Sequence, residues 1–206
     1  MMDVETKNEV LKTIYERRAI RKFKDKAVAD ELVEILLNAA RMAPSAMNKQ
    51  PWHFYVLTNK DRIKRFSQSI MQNSKMAMLK AGLKEALHHL LHPGSFSLKD
   101  GVDFFKADDP IFHGAPVVIF ISSQRGNEWA ALDIGMCAQN LMLAARSLGL
   151  DTCPVGLAKF IENTDEYKEL NIPSSEQINL AIILGYANEQ PAVHERKKDN
   201  ATFLDK

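Results

Sequence analysis

The chain lacks most of the features that declare a function at sight, and each absence narrows the field. It lacks net charge: 27 Lys and Arg stand against 26 Asp and Glu, a formal balance of +1. A dedicated nucleic-acid binder carries a basic face or a very high isoelectric point, so no nucleic-acid partner is expected. It has only two cysteines, Cys137 and Cys153, in apolar surroundings and without CxxC spacing. That predicts reduced thiols in the core, not a disulfide framework. No apolar run approaches the roughly 20 residues of a membrane span, and the opening MMDVETKNEVLK is too polar for a signal peptide. GxGxxG, GxxxxGK[ST] and HExxH are all missing, which leaves Rossmann, P-loop and zincin sites unsupported. Repeats, low-complexity tracts and obvious linkers are missing too. These absences predict one soluble, cytoplasmic domain over residues 1–206, large enough to bury a core without metal or disulfides.

What is present is periodic. Val10, Leu11, Ile14 and Tyr15 predict a helix over 5–17. ADELVEILLNAARMAP predicts a second, with Asp30 as N-cap, Val33, Leu36, Leu37 and Ala40 as buried stripe, and Pro44 as the stop. WHFYVLTN is β-branched and aromatic, a strand. DRIKRFSQSI returns to helical period. APVVIFISS and EQINLAIILGY read as buried strands. NEWAALDIGMCAQNLMLAARSLGL is the longest helix, apolar on most of its circumference, with Trp129 and Met136 as packing residues and Gly149 as C-cap. Such a helix belongs in the centre of a fold or at an interface between subunits. TDEYKELNIP is a short helix capped by Thr164, and the tail from Ala187 is polar and extended. Strands alternating with helices predict a layered α/β or α+β fold.

Residues 71–112 fit this pattern least. MAMLKAGLKEALHHLLH is helical as far as Pro93-Gly94, and an irregular, aromatic-rich stretch follows. A connection of that length suggests a lid or binding loop. His88 and His92 lie one helical turn apart, a zinc-like spacing. No Cys or carboxylate completes a site, so incidental surface histidines are the favoured reading. Phe104, Phe105 and Phe112 are candidates for a lid over a pocket; a hydrophobic cluster beneath a loop accounts for them equally well.

Three constellations carry possible chemistry. In ERRAIRKF, Arg17, Arg18 and Arg21 crowd within five positions. Arginine is the residue for gripping phosphate or carboxylate with a planar fork of donors. The plainer reading is a solvated helix end whose cations suit the C-terminal dipole. In APSAMNKQPWHFYV, Ser45, Asn48 and Gln50 fill a helix-to-strand turn. Asn and Gln can read the mixed donor and acceptor edge of a heteroaromatic ring, or merely fill a polar turn between two prolines. In GLDTCPVGL, Gly149 and Gly156 bracket a predicted loop whose amides could face a ligand; a plain connection is the alternative.

Taken together and in this order, the three resemble the nitroreductase family of flavin enzymes. RRAIRKF is similar to that family's RRS-hydrophobic-R-x-F signature, PSAMNKQPW to its PSxxNxQPW segment, and AQNLMLAARSLGLDTCPVG to its NLxLxAxxxGLGT region. ILGYANEQPAVHERK resembles its late LGY strand end and following Arg. The motifs cover the chain except residues 67–112. The resemblance implies an α+β fold, an α/β/α sandwich with a mixed, mainly antiparallel central sheet, in a domain-swapped homodimer. It implies FMN as cofactor and NADH or NADPH as hydride donor, with nitroaromatics or quinones as acceptors in a ping-pong reaction through one pocket. By the same resemblance Arg17 and Arg18 hold the FMN phosphate and Arg21 sits beside the pyrimidine edge, where a cation favours the anionic reduced ring. Ala19 stands where the family has Ser, a loss of one hydroxyl donor and about 1 kcal/mol. Pro44, Ser45 and Asn48 contact the flavin, in some relatives from the partner subunit, and Gln50 lies near the ribityl chain or ring edge. Pro154, Val155 and Gly156 run along the isoalloxazine, with the Gly156 amide donating to the nitrogen that receives the hydride. Some relatives carry Glu where Gly156 stands. Arg196 matches a late phosphate-binding Arg, and His194 stands where some members have Lys, a weaker cation because imidazole titrates near 6.5. No catalytic acid or base is assigned, since the flavin carries the chemistry. A dehalogenase or flavin-destroying oxidase on the same fold, and a flavin binder without turnover, remain open at this level.

Overall fold

The computed structural model describes residues 8–80, 108–197 and 199–204, and the side chains of the helix at Lys60–Lys80 as far as Ser74. In chain order the elements are α1 (Glu9–Glu16), α2 (Asp30–Arg41), β1 (His53–Leu57), α3 (Lys60–Lys80), β2 (Val117–Gln124), α4 (Ala130–Ser147), β3 (Asp151–Val155), α5 (Asp165–Lys168) and β4 (Glu176–Gly185). Two 3-10 segments, Ala46–Asn48 and Gly156–Asn163, lead into β1 and follow β3.

The strands lie in the order β1-β2-β4-β3, and each neighbouring pair is antiparallel. The four-stranded sheet is thus antiparallel throughout, and an isolated parallel bridge from Ala19 to Thr152 lies at the β3 edge. Alternation on the two central strands divides the core, as period-two geometry requires. Val117, Ile119 and Ile121 of β2 with Ile182 and Leu184 of β4 face α2 and α4. Val118 and Phe120 with Ala181 and Ile183 face α3 and the 3-10 segment after β3. The product is helices on both faces of a sheet, the α/β/α sandwich expected. Buried on both faces, β2 and β4 read in sequence as continuous apolar runs.

Several expectations hold in detail. Val33, Leu36, Leu37 and Ala40 are the buried residues of α2. Leu148 is the C-cap of α4, and Gly149, one residue past it, takes the left-handed φ of +74° that ends the helix. Thr164 Oγ1 accepts the Tyr167 amide as N-cap of α5. Others need correction. Asp30 is the first helical residue of α2, and Ala29 occupies the cap without a side-chain bond. The predicted loop after Gly149 is strand β3, because residues Asp151–Val155 pair in antiparallel register with Ala181–Gly185 of β4. Phe112 is no lid residue: it is fully buried, edge-on to Phe120 with ring centroids 5.8 Å apart. Trp129 is exposed, whereas Met136 packs on the core. The three histidines at 88, 89 and 92, the Pro93-Gly94 stop and Phe104 and Phe105 lie outside the described residues. No helix among the described residues is long and apolar enough to cross a membrane.

Candidate functional site

The arginine segment leaves α1 and is at once tied to the sheet. The Ile20 amide donates to the Thr152 carbonyl at 3.0 Å, which docks Ala19 beside β3. Phe23 then bridges Ala187, with the Lys24 amide on the Tyr186 carbonyl and the Asn188 amide on the Lys22 carbonyl, both at 2.8 Å. Between these anchors the Glu189 carboxylate accepts from the amides of Arg21 and Lys22. Gly185, at the end of β4, allows the close approach: a Cβ there would stand 2.6 Å from Pro116 Cδ and 3.0 Å from Phe23 Cδ1. The backbone that carries the arginines is therefore fixed from both sides.

The three guanidinium groups then divide. Arg17 and Arg21 lie near the Cys153 thiol; burial pushes that thiol up, and the two cations offset part of the rise. Arg18 turns back, and its Nη1 donates to the carbonyls of Tyr15 and Arg17, satisfying the open end of α1. For this one residue the helix-end reading is correct. Arg18 also lines a cavity of about 430 Å³ with Glu16, Arg146, Asp151, Glu189 and Val193. Arg146 links the wall together, 3.1 Å from Glu16 and 3.2 Å from Asp151. Arg21 borders a second cavity of about 530 Å³ with Phe23, Lys60, Lys64 and His113. Burial pulls His113 below the usual imidazole range; Asp109 raises it and Arg21 lowers it further. His194 and Arg196 lie past Val193 on exposed chain, where Arg196 Nη1 donates to the His194 carbonyl.

The turn after α2 is a separate array. Ser45 Oγ accepts the Gln50 amide at 2.9 Å, and the Gln50 side-chain nitrogen donates to Asn48 Oδ1 at 3.2 Å. Met47, Asn48 and Gln50 all have positive φ, between 45° and 53°. Three non-glycine residues in that region cost about 1–3 kcal/mol each, a pattern concentrated at functional sites. Among the described residues the anchor of this turn from outside is Asp133 of α4, whose Oδ1 accepts the Ala46 amide at 3.2 Å. Pro44 and Ser45 sit at its entrance, partly or fully exposed.

The third group follows β3. Pro154 is exposed on this edge strand, where a missing amide costs no ladder bond to a further strand. Val155 closes the strand against Ala181. A Cβ built on Gly156 meets nothing within 4 Å, so its backbone faces open space. Asn73 of α3 donates to the Phe160 carbonyl at 3.1 Å and fixes the segment that follows.

The arginine segment and the Gly156 segment thus share the β3 edge, but the Ser45–Gln50 turn does not. It leads into β1 on the opposite edge. Helix α4 measures the gap: Asp133 holds the turn and Arg146 flanks the arginine segment, thirteen residues apart. At 1.5 Å per residue that is about 20 Å. Sequence reasoning missed Asp133, Glu189, Arg146 and the packing role of Gly185. Only Asp133 left a trace, as an acid within an otherwise apolar helix. Among the described residues no group of three His, Cys, Asp or Glu side chains could hold a metal ion.

The chain is similar to known nitroreductases in sequence and in fold. A chloronitrobenzene nitroreductase of Comamonas testosteroni is 32% identical, with 88% of each chain covered. A 4-nitrobenzoate reductase of Pseudomonas putida is also 32% identical, over 86% of this chain and 85% of its own. A crystal structure of a nitroreductase with bound FMN from Desulfitobacterium hafniense superposes with a TM-score of 0.76 at 27% identity, covering 96% of this chain and 98% of the other. The family model described as the nitroreductase family matches residues 14–186, from the end of α1 through all four strands. On fold, motifs and matched span together, the chain belongs to the nitroreductase family.

Proposed function

We propose that this protein is an FMN-dependent oxidoreductase that uses NADH or NADPH to reduce nitroaromatic, quinone or related small acceptors, and that it works as a homodimer in the cytoplasm. One observation carries the reading. Of the nine arginines in the chain, Arg41, Arg62, Arg65, Arg125 and Arg146 each pair with a carboxylate. Among the described residues Arg17, Arg18, Arg21 and Arg196 pair with none, and these are the four that the family motifs assign to the flavin. A phosphomonoester supplies the negative charge that this donor set lacks, so the residues present fit FMN.

In this reading Arg17 holds the phosphate with Arg18, the Ala19 amide, His194 and Arg196. Arg21 faces the pyrimidine edge. Pro154, Val155 and the Gly156 amide run along the ring over the open space beside Gly156. Pro44, Ser45, Asn48 and Gln50 come from the second protomer, because about 20 Å of helix separates them from the arginines of their own chain. The exposed apolar faces of α1 (Val10, Ile14, Tyr15) and α4 (Trp129, Leu132) support the pairing. FMN bound there would supply the hydride chemistry between the nicotinamide and the acceptor, and the pocket over its ring would be open to each substrate in turn. The protein orients both and excludes water. The names of the Comamonas and Pseudomonas relatives support nitroaromatic acceptors. The visible spectrum of the purified protein, before and after incubation with FMN, tests the reading, followed by anaerobic titration with each nicotinamide. A bound flavin band that bleaches with NADH or NADPH is expected. A protein that stays colourless after incubation refutes the proposal.

A further inference from the structure

We propose that Asp133 is a positioning residue for flavin binding: its buried carboxylate on α4 holds the Ser45–Gln50 turn in the shape that meets the ring. The inference rests on the FMN reading above and concerns a residue that reading does not use. Asp133 is only 2% exposed, in the first turn of a helix whose other buried residues are all apolar. A carboxylate in such a place requires a partner. Its partner is the Ala46 amide, 87 positions away in sequence, the first residue of the 3-10 segment. Among the described residues the turn's other bonds are internal: the Asn48 amide to the Ser45 carbonyl, the Lys49 amide to the Ala46 carbonyl, the Gln50 amide to Ser45 Oγ, and the Gln50 side-chain nitrogen to Asn48 Oδ1. Three positive-φ residues follow within five positions of the anchor. A strained turn persists only where its surroundings over-determine it, and Asp133 is the long-range tie that does so. The same helix presents Leu132 and Trp129 to solvent, so the anchor joins the candidate subunit contact to the candidate ring contact.

The test separates the two ends of the ligand. Binding of FMN and of riboflavin, which lacks the phosphate, is followed by flavin fluorescence for wild type, D133A, D133N and R17A, with thermal melts as control. D133A is expected to weaken both flavins by the same factor, about tenfold, while R17A weakens FMN and leaves riboflavin unchanged. D133N keeps an oxygen acceptor for the Ala46 amide and is expected to bind within about twofold of wild type. If D133A does not fold, A46P removes the donor without touching the helix, and the same tenfold loss on both flavins is expected. Wild-type riboflavin affinity in D133A or A46P overturns the inference and leaves the FMN reading standing. Failure of wild type to bind either flavin overturns both.

Discussion

At the residue scale, charge pairing separates the arginines by role. Arg17 has no carboxylate partner among the described residues, so Arg17→Ala is expected to weaken FMN retention by about 1.5–3 kcal/mol, the worth of a hydrogen bond to a charged group. Arg18 commits Nη1 to two carbonyls at the end of α1. Arg18→Ala should therefore cost less FMN affinity than Arg17→Ala and more thermal stability, a crossed pattern that paired melts and titrations resolve. Glu176 provides the pH dependence. Burial raises its carboxyl, but donors from Ser122, His53 and Tyr55 outweigh burial and hold it below its ordinary 4.5. A depressed folded value stabilises the fold above pH 4.5, and that contribution is lost as pH falls through the folded value. Glu176→Gln should lose about 1–3 kcal/mol at neutral pH and show a flatter acid-unfolding limb in denaturant titrations at stepped pH. The two thiols should be inert by contrast: burial raises Cys137 to about 12 and also raises Cys153.

At the element scale, the site is built by edges. The arginine segment docks on β3, and the outgoing chain after β4 pins it from the other side. Gly185 is the tightest point. Gly185→Ala drives a methyl into the rigid Pro116 ring and against Phe23, two residues from Arg21. It should destabilise by about 1–3 kcal/mol and weaken FMN binding as the segment shifts, measured by melts and titration together. The stretch before β2 belongs to the core on the opposite face. Asp109 accepts the Phe112 and Gly114 amides at 2.9 Å, and Phe112 fills the space against Phe120. The sequence around Phe112 could not be placed by periodicity, since a turn wound about one aspartate has no period. Strand β3 was misread for a related reason: five residues with a proline look like a loop until an edge is available to pair them.

At the scale of the whole molecule, the candidate site lies at two ends of one chain. In the proposed function each end carries part of the flavin site, and the stretch between them exposes Trp129 and Leu132. Leu132, 58% exposed, is the central test. Leu132→Asp should convert a dimer to monomers in sedimentation velocity, and FMN should be lost with the dimer because, in the proposed site, the arginine segment of one protomer meets the Ser45–Gln50 turn of the other. A monomer that keeps FMN at wild-type affinity contradicts the shared site.

The sequence by itself determined the layered class, the buried stripe of α2, the two central strands and the arginine and PSAMNKQPW motifs. Each is written locally, as a period of two or 3.6, or as a short run of residue types. The tertiary structure alone decided that Arg18 closes a helix while Arg17 and Arg21 lie near Cys153 of β3. It also decided that Glu189 holds two amides from across the chain, that Asp133 supports a turn 87 residues away, and that the two motifs adjoin opposite edges of the sheet. Those facts depend on which side chain meets which backbone group across long loops. Such pairings are settled when the sheet assembles its edges and buried polar groups find the partners available.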